Sequence, residues 1–155
     1  MLVYRIVKLK KRTKDLSGTG AFNEGGRWNN EGVFALYTSE SEALAMLEIL
    51  VNVDLPELPP NMFVMTIQMD DTVPIFKIPD KTLPANWRLP ANIFLKNLGN
   101  KILNEKKFMG IKARSAVMEN SYNFILNPLY PDYYNLVKVI KVEKLAIDKR
   151  LKRYS

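Results

Sequence analysis

Between Val33 and Val51 a strand pattern runs straight into an apolar helix pattern, and this junction constrains the fold more than any other part of the chain. In VFALYT, Val33, Ala35 and Tyr37 share one face, and Phe34, Leu36 and Thr38 share the other. Ser39, followed three residues later by Glu42, has the spacing of a capping box, so the chain is expected to turn from strand into helix at Ser39. The run ALAMLEILV from Ala43 to Val51 is apolar around nearly its whole circumference and predicts a buried helix. Such a helix has to be covered by a sheet or by other helices. Its one charge, Glu48, therefore needs a partner, a cleft or a proton, because an ionised carboxylate buried alone costs several kcal/mol or shifts its pKa upward.

Upstream, Arg27 follows the Gly25-Gly26 pair in GGRWN, so an arginine, Tyr37 and Glu48 can converge on one pocket. A structural ion pair of Glu48 with Arg27 or Arg5 explains a buried carboxylate equally well. Ordinary packing and turn hydrogen bonds account for Tyr37 and Ser115 taken singly, and Trp28 reads as core.

The residues that are missing narrow the chemistry. The 155-residue chain contains no cysteine and no histidine. Disulfide frameworks, zinc–thiolate sites, cysteine nucleophiles and serine–histidine pairs are thereby excluded. Any acid–base chemistry has to come from carboxylates, tyrosine, lysine, water or the substrate. The length suits a single domain spanning residues 1–155. No apolar run approaches the roughly 18 to 20 residues that span a membrane. MLVYRIVKLKKR places its apolar residues before its basic ones, the reverse of the secretory order, so a cytoplasmic location is expected. The net charge of +7 gathers in Lys8–Lys14 and Lys149–Arg153. Those runs read as solvated surface first and as phosphate or nucleic-acid contacts second.

Taken in order, Leu2–Leu9 reads as a strand interrupted by Arg5, and residues 10–30 as a long irregular loop with glycines at 18, 20, 25 and 26. That loop meets neither the Walker nor the dinucleotide-fingerprint spacing. Met62–Met69 and Val73–Ile78 read as strands separated by a polar break at Asp70-Asp71-Thr72, with Pro74 suited to an edge. Pro79–Asn92 is too proline-rich for regular structure. Ile93–Asn104 has helical spacing weakened by Gly99. Phe108–Ala113, Asn123–Asn127 and Leu136–Val142 read as further strands. Local hairpins with only two substantial helices indicate an α+β domain rather than a doubly wound parallel sheet.

The string LSGTGAFNEGGRWNNEGVFALYTSESEALAMLEILV, followed by ARSAV and by NFILNP, resembles the RES-domain toxins of RES–Xre toxin–antitoxin pairs. The resemblance runs from YRI near the start to DKRL near the end. The family is named for an arginine, a glutamate and a serine, which correspond here to Arg27, Glu48 and Ser115. AFNE and ARSAV depart from the commoner family strings, and Lys112 and Arg114 bring charge near the serine.

The resemblance implies an ADP-ribosyltransferase-like α+β fold with largely antiparallel sheet. It also implies consumption of NAD as substrate without a metal, by hydrolysis, phosphorolysis or transfer of ADP-ribose to a protein. It implies an Xre-type antitoxin partner, possible oligomers with that antitoxin, and nucleic acid reached only through it. In such a scheme Glu48 faces the developing ribosyl cation and Arg27 binds the diphosphate bidentately. Tyr37 stacks on nicotinamide or hydrogen-bonds the ribose, Ser115 fixes a ribose or amide group, and Arg5 and Asn127 orient the others. The absence of histidine suits this chemistry, because loss of nicotinamide from a cationic ring needs charge stabilisation more than a strong acid. A basic nucleic-acid-binding module is the competing class, without a helix-turn-helix or RNP-like pattern in its favour.

Overall fold

The computed structural model describes residues 1–152. Seven strands form one sheet in the order β4-β5-β6-β2-β1-β3-β7. They are β1 (Leu2–Val7), β2 (Leu36–Ser39), β3 (Phe63–Met69), β4 (Ile75–Lys77), β5 (Gly110–Arg114), β6 (Tyr122–Leu126) and β7 (Val137–Lys144). Only β4 and β5 pair in parallel, and every other pairing is antiparallel. The helices are α1 (Thr19–Glu24), α2 (Glu42–Leu50), α3 (Ile93–Glu105) and α4 (Tyr133–Leu136). This is the α+β class expected from the order of elements.

Two apolar cores occupy the two faces of the sheet. One combines Val3, Met65, Ile67, Phe124, Leu126 and Tyr133, with Ile75 from one end of the sheet and Val139 from the other packed against it. A single core that draws on both ends requires the sheet to curl around it. The second joins Trp28 and Leu95 to Ile111, Ala113 and Ile125 beneath α3. The methionines of β3 are core residues, as their positions in the strand pattern suggest.

Gly99 weakens α3 as a helix former but is what allows α3 to dock. A Cβ at this position would lie inside the van der Waals envelope of the Trp28 carbonyl oxygen and close to the carbonyl carbon. The close approach brings the GGRWN loop onto α3, where the Lys96 ammonium donates to the Gly26 carbonyl at 2.6 Å.

Several expectations are corrected. Residues 10–30 are not wholly irregular, since a 3-10 turn at Lys10–Arg12 and helix α1 lie within them. The helix does not begin at Ser39. That residue stays in the β2 ladder opposite Asn123, and the cap is Ser41, whose hydroxyl accepts from the Leu44 amide at 3.1 Å. Only Leu44 and Ala45 of α2 are fully buried, and Val51 just beyond it is 58% exposed. The sheet supports one side of α2, and among the described residues no second layer covers the rest. Finally, β3 and β4 form no hairpin, because the curled sheet sends β4 to the opposite edge, beside β5.

Candidate active site

The ladder between β1 and β2 consists of one register pair, Tyr4 with Ser39, whereas β1 pairs with β3 from Leu2 to Val7. The sheet therefore opens at its centre. A cavity of about 180 Å³ fills the opening, lined by Tyr4, Arg5 and Ile6 from β1, Tyr37, Thr38 and Ser39 from β2, Asn123 from β6, and Ala45, Glu48 and Ile49 from α2. Where the backbone ladder stops, the Arg5 side chain bridges the strands, its Nη1 donating to the Tyr37 carbonyl at 2.9 Å. Arg5 Nε is sealed from solvent and has no partner among the described residues. Burial lowers the Arg5 pKa, with Asp15 opposing that shift through space.

Glu48 is held by one of its oxygens. Oε1 accepts from Ser115 Oγ at 2.6 Å and from Asn123 Nδ2 at 2.6 Å. Ser115 Oγ in turn accepts the Val117 and Met118 amides, both at 3.1 Å, so its own proton is committed to the carboxylate. Asn123 Oδ1 accepts from Ser39 Oγ at 2.8 Å, which fixes the asparagine amide with its NH2 toward Glu48. The second carboxylate oxygen has no protein partner among the described residues, and Glu48 lines the cavity. The result is a pre-oriented carboxylate with one oxygen available to a ligand.

The other residues singled out in the sequence are placed as follows. Ser115 is fully buried and reaches Glu48 rather than the cavity surface. Tyr37 lines the cavity, but its hydroxyl is engaged, accepting the Trp28 amide at 2.8 Å and donating to Asn29 Oδ1 at 2.7 Å. Gly26 leaves room for that hydroxyl, which would lie 2.5 Å from a Cβ at that position. Arg27 is absent from the cavity wall. Its Nη1 donates to the carbonyls of Trp87 at 2.8 Å and Leu89 at 3.0 Å, and its Nη2 to that of Arg88 at 3.4 Å. Burial lowers the Arg27 pKa while the Glu48 charge raises it, so the two interact through space without forming an ion pair. Asn127 is buried elsewhere, its Nδ2 on the Leu103 carbonyl at 2.8 Å and its Oδ1 taking the Leu129 amide.

Asn123 and Ser39 line the candidate site, a placement that the sequence reading missed. The available signal was polarity on one face of a buried strand, since Asn123 shares its side of β6 with Ile125 and stands opposite Ser39.

Tyr37 gives this site an alkaline limit. Burial raises its pKa, with smaller opposing effects from the Trp28 amide, Arg27 and Asn29. A tyrosine whose folded pKa exceeds the ordinary value of about 10 contributes stability that is complete below that pH and lost as pH rises through the folded value. Urea unfolding between about pH 8 and 11 should show stability falling above roughly pH 10. Tyr37→Phe should lower stability at neutral pH by about 1–3 kcal/mol, through the orphaned Trp28 amide, and make the alkaline decline shallower. An unchanged slope in the variant would exclude Tyr37 as a source of it. Tyr133, also raised chiefly by burial, supplies a further part.

Comparison with known proteins agrees with this architecture. The RES domain model matches residues 2–148. A protein named Toxin Res from Photorhabdus laumondii is 33% identical over 153 residues, covering 97% of each chain. A Toxin Res from Yersinia enterocolitica is 30% identical over 98% of this chain and 100% of its own. A Sphingobium protein named Prs ADP-ribosylating toxin is 32% identical over 90% of this chain and 88% of its own. In fold, the chain is similar to one in the crystal structure of the M. tuberculosis MbcT–MbcA toxin–antitoxin complex, with a TM-score of 0.74 and 17% identity, covering 93% of this chain and 83% of that one. A family match across nearly the whole chain, on a sheet that opens around Glu48 and Ser115, places the protein in the RES domain family.

Proposed function

We propose that this protein is the toxin of a toxin–antitoxin pair and that it cleaves the nicotinamide–ribose bond of NAD. One observation carries the chemistry: a carboxylate anchored through Oε1, with its other oxygen free, in a cavity where the sheet opens. The C1′–N1 bond breaks with its electron pair passing to the pyridinium nitrogen, so neutral nicotinamide departs without needing a proton. The ribosyl cation left behind is stabilised by Glu48, a preorganised negative charge at the point where positive charge develops. A water or phosphate oxygen then bonds to C1′, and with water one proton is released to solvent.

Ser115 and Asn123 are positioning residues that hold the carboxylate, and the Tyr37 ring supplies a wall for the nicotinamide. Arg5 lines the cavity and takes the diphosphate. Arg27, whose donors are spent on carbonyls 87–89, anchors that segment and adds positive potential. A cavity of about 180 Å³ is smaller than the roughly 300–1,000 Å³ of typical ligand sites, which suits one half of a dinucleotide rather than the whole.

The test is release of free nicotinamide from NAD by the purified protein, with and without phosphate. Phosphate dependence would identify the acceptor, and no release under either condition would reject the reading. Ser115→Ala should reduce turnover by about tenfold to a hundredfold with little change in KM, because it removes the bond that orients Glu48 and not a contact with substrate. A KM effect without a kcat effect would instead place Ser115 at the ligand.

A second reading, transfer of ADP-ribose to a protein, is favoured by the name of the Sphingobium relative. It predicts label from adenine-labelled NAD appearing on a target protein. The partner in either case is an antitoxin of the Xre type acting in the cytoplasm. Growth arrest on expression, relieved by co-expressing that partner, would support the pairing.

A further inference from the structure

Glu48 is aimed by Ser115, and Ser115 is in turn aimed by two peptide planes. The serine follows β5 directly, and its hydroxyl oxygen takes the amides of Val117 and Met118, both at 3.1 Å, while its proton goes to Glu48 Oε1. Each of those amides shares a rigid plane with the carbonyl before it: the Val117 N–H with the Ala116 C=O, and the Met118 N–H with the Val117 C=O. In a trans peptide the two groups point in opposite directions, so a partner that holds the carbonyls from outside sets the direction of the amides inside. Arg88 holds both carbonyls. Its Nε donates to that of Ala116 at 2.8 Å and its Nη2 to that of Val117 at 3.5 Å. Among the described residues no other group donates to either. The bonds that close the turn, Ser115 amide to Ser121 carbonyl at 2.8 Å and Ser121 amide to Met118 carbonyl at 2.9 Å, leave them untouched.

The guanidinium suits this task because one edge of it presents two donors in a fixed planar fork. Its backbone is fixed as well, since the carbonyls of Trp87, Arg88 and Leu89 all accept from Arg27. The remaining contact of the Arg88 side chain, with Glu119 Oε2 at 3.8 Å, joins two groups that are 51% and 60% exposed. An ion pair in that setting contributes little. Arg88 does not line the Glu48 cavity. We propose that Arg88 is a positioning residue for Glu48: from outside the 115–118 turn it fixes the two peptide planes that orient the Ser115 hydroxyl, and through that hydroxyl the carboxylate. This assignment deepens the NAD-cleaving reading and rests on it.

The test is a double-mutant cycle on nicotinamide release from NAD. Arg88→Ala should lower kcat by about tenfold, the scale of a small misalignment at the reacting centre, with KM within about twofold of wild type and an unchanged urea midpoint. Because Arg88 works through Ser115, Arg88→Ala/Ser115→Ala should match Ser115→Ala alone to within about twofold, whereas an independent structural contribution would multiply. The control is Glu119→Ala, which removes the ion pair, leaves both carbonyl contacts and should match wild type. Losses that multiply in the double variant, a KM effect without a kcat effect, an unchanged kcat in Arg88→Ala, or a Glu119→Ala variant equally slow would each overturn the assignment. If the wild-type protein releases no nicotinamide, the catalytic reading fails on its own, and amide hydrogen exchange decides the positioning role. Val117 and Met118 amides that exchange about tenfold faster in Arg88→Ala, with the β5 amides unchanged, sustain it. Unchanged exchange at both overturns it.

Discussion

Glu48→Gln should lower nicotinamide release from NAD by at least about a hundredfold in kcat while leaving the protein folded, which is the scale of removing one preorganised charge-stabilising group. The reason is the asymmetry of its surroundings. Ser115 and Asn123 both donate to Oε1, and a glutamine carbonyl accepts those same two bonds, so the local packing is retained. What is lost is the negative charge, and with it the free oxygen that the proposed mechanism sets opposite the developing cation. Circular dichroism and urea unfolding of the variant would verify the fold. KM for NAD should change little if the carboxylate acts mainly in the transition state. Residual activity within about tenfold of wild type would remove Glu48 from the mechanism. A structural ion pair with Arg27 or Arg5, the simpler explanation for a charged residue in an apolar helix, predicts loss of stability instead. No such pair occurs among the described residues, where Arg27 serves the 87–89 carbonyls and Arg5 the Tyr37 carbonyl.

The second large effect concerns folding rather than chemistry. Gly99→Ala should destabilise the protein by about 3 kcal/mol or more, despite alanine's better helix propensity. The added Cβ meets the Trp28 backbone carbonyl, which cannot rotate away as a flexible side chain would. Relief requires α3 to move off the GGRWN loop, breaking the Lys96 to Gly26 bond and exposing Trp28, which is 2% exposed in the folded chain. Gly20 in α1 is the control, because a Cβ there meets nothing within 4 Å. Gly20→Ala should be neutral or stabilising by up to about 1 kcal/mol. Urea midpoints for the two variants should move in opposite directions, or only the Gly99 midpoint should move. Equal stability of Gly99→Ala and wild type would mean that the helix–loop contact is not as close as described.

Local pattern carried much of the architecture. Short apolar runs located the core of β1, β3, β5, β6 and β7, alternation located part of β2, and helical patterns located α2 and α3 to within a few residues. All are readouts of which side chains must leave water, and each is a property of neighbouring residues. The misplaced features depend on distant partners. Ser39 and Ser41 are both competent caps, and the choice went to Ser41 because Ser39 is taken by the ladder to Asn123. The position of β4 was hidden because its partner β5 lies more than thirty residues downstream.

The site divides in the same way. Residue chemistry by itself determined that any catalyst here works without histidine or cysteine, and that Glu48, the one charge in the apolar run Ala43–Val51, stands apart from the other carboxylates. It also determined the α+β class, through the succession of strand and helix patterns. Only the tertiary structure decided that Ser115 and Asn123 hold that acid, that Arg5 rather than Arg27 lines its cavity, and that the cavity lies where β1 and β2 part. The physical reason is range. Burial preference and backbone propensity act along the chain and are written in its local order, whereas a hydrogen bond between Glu48 and a serine 67 residues away exists only once the sheet has brought them to 2.6 Å.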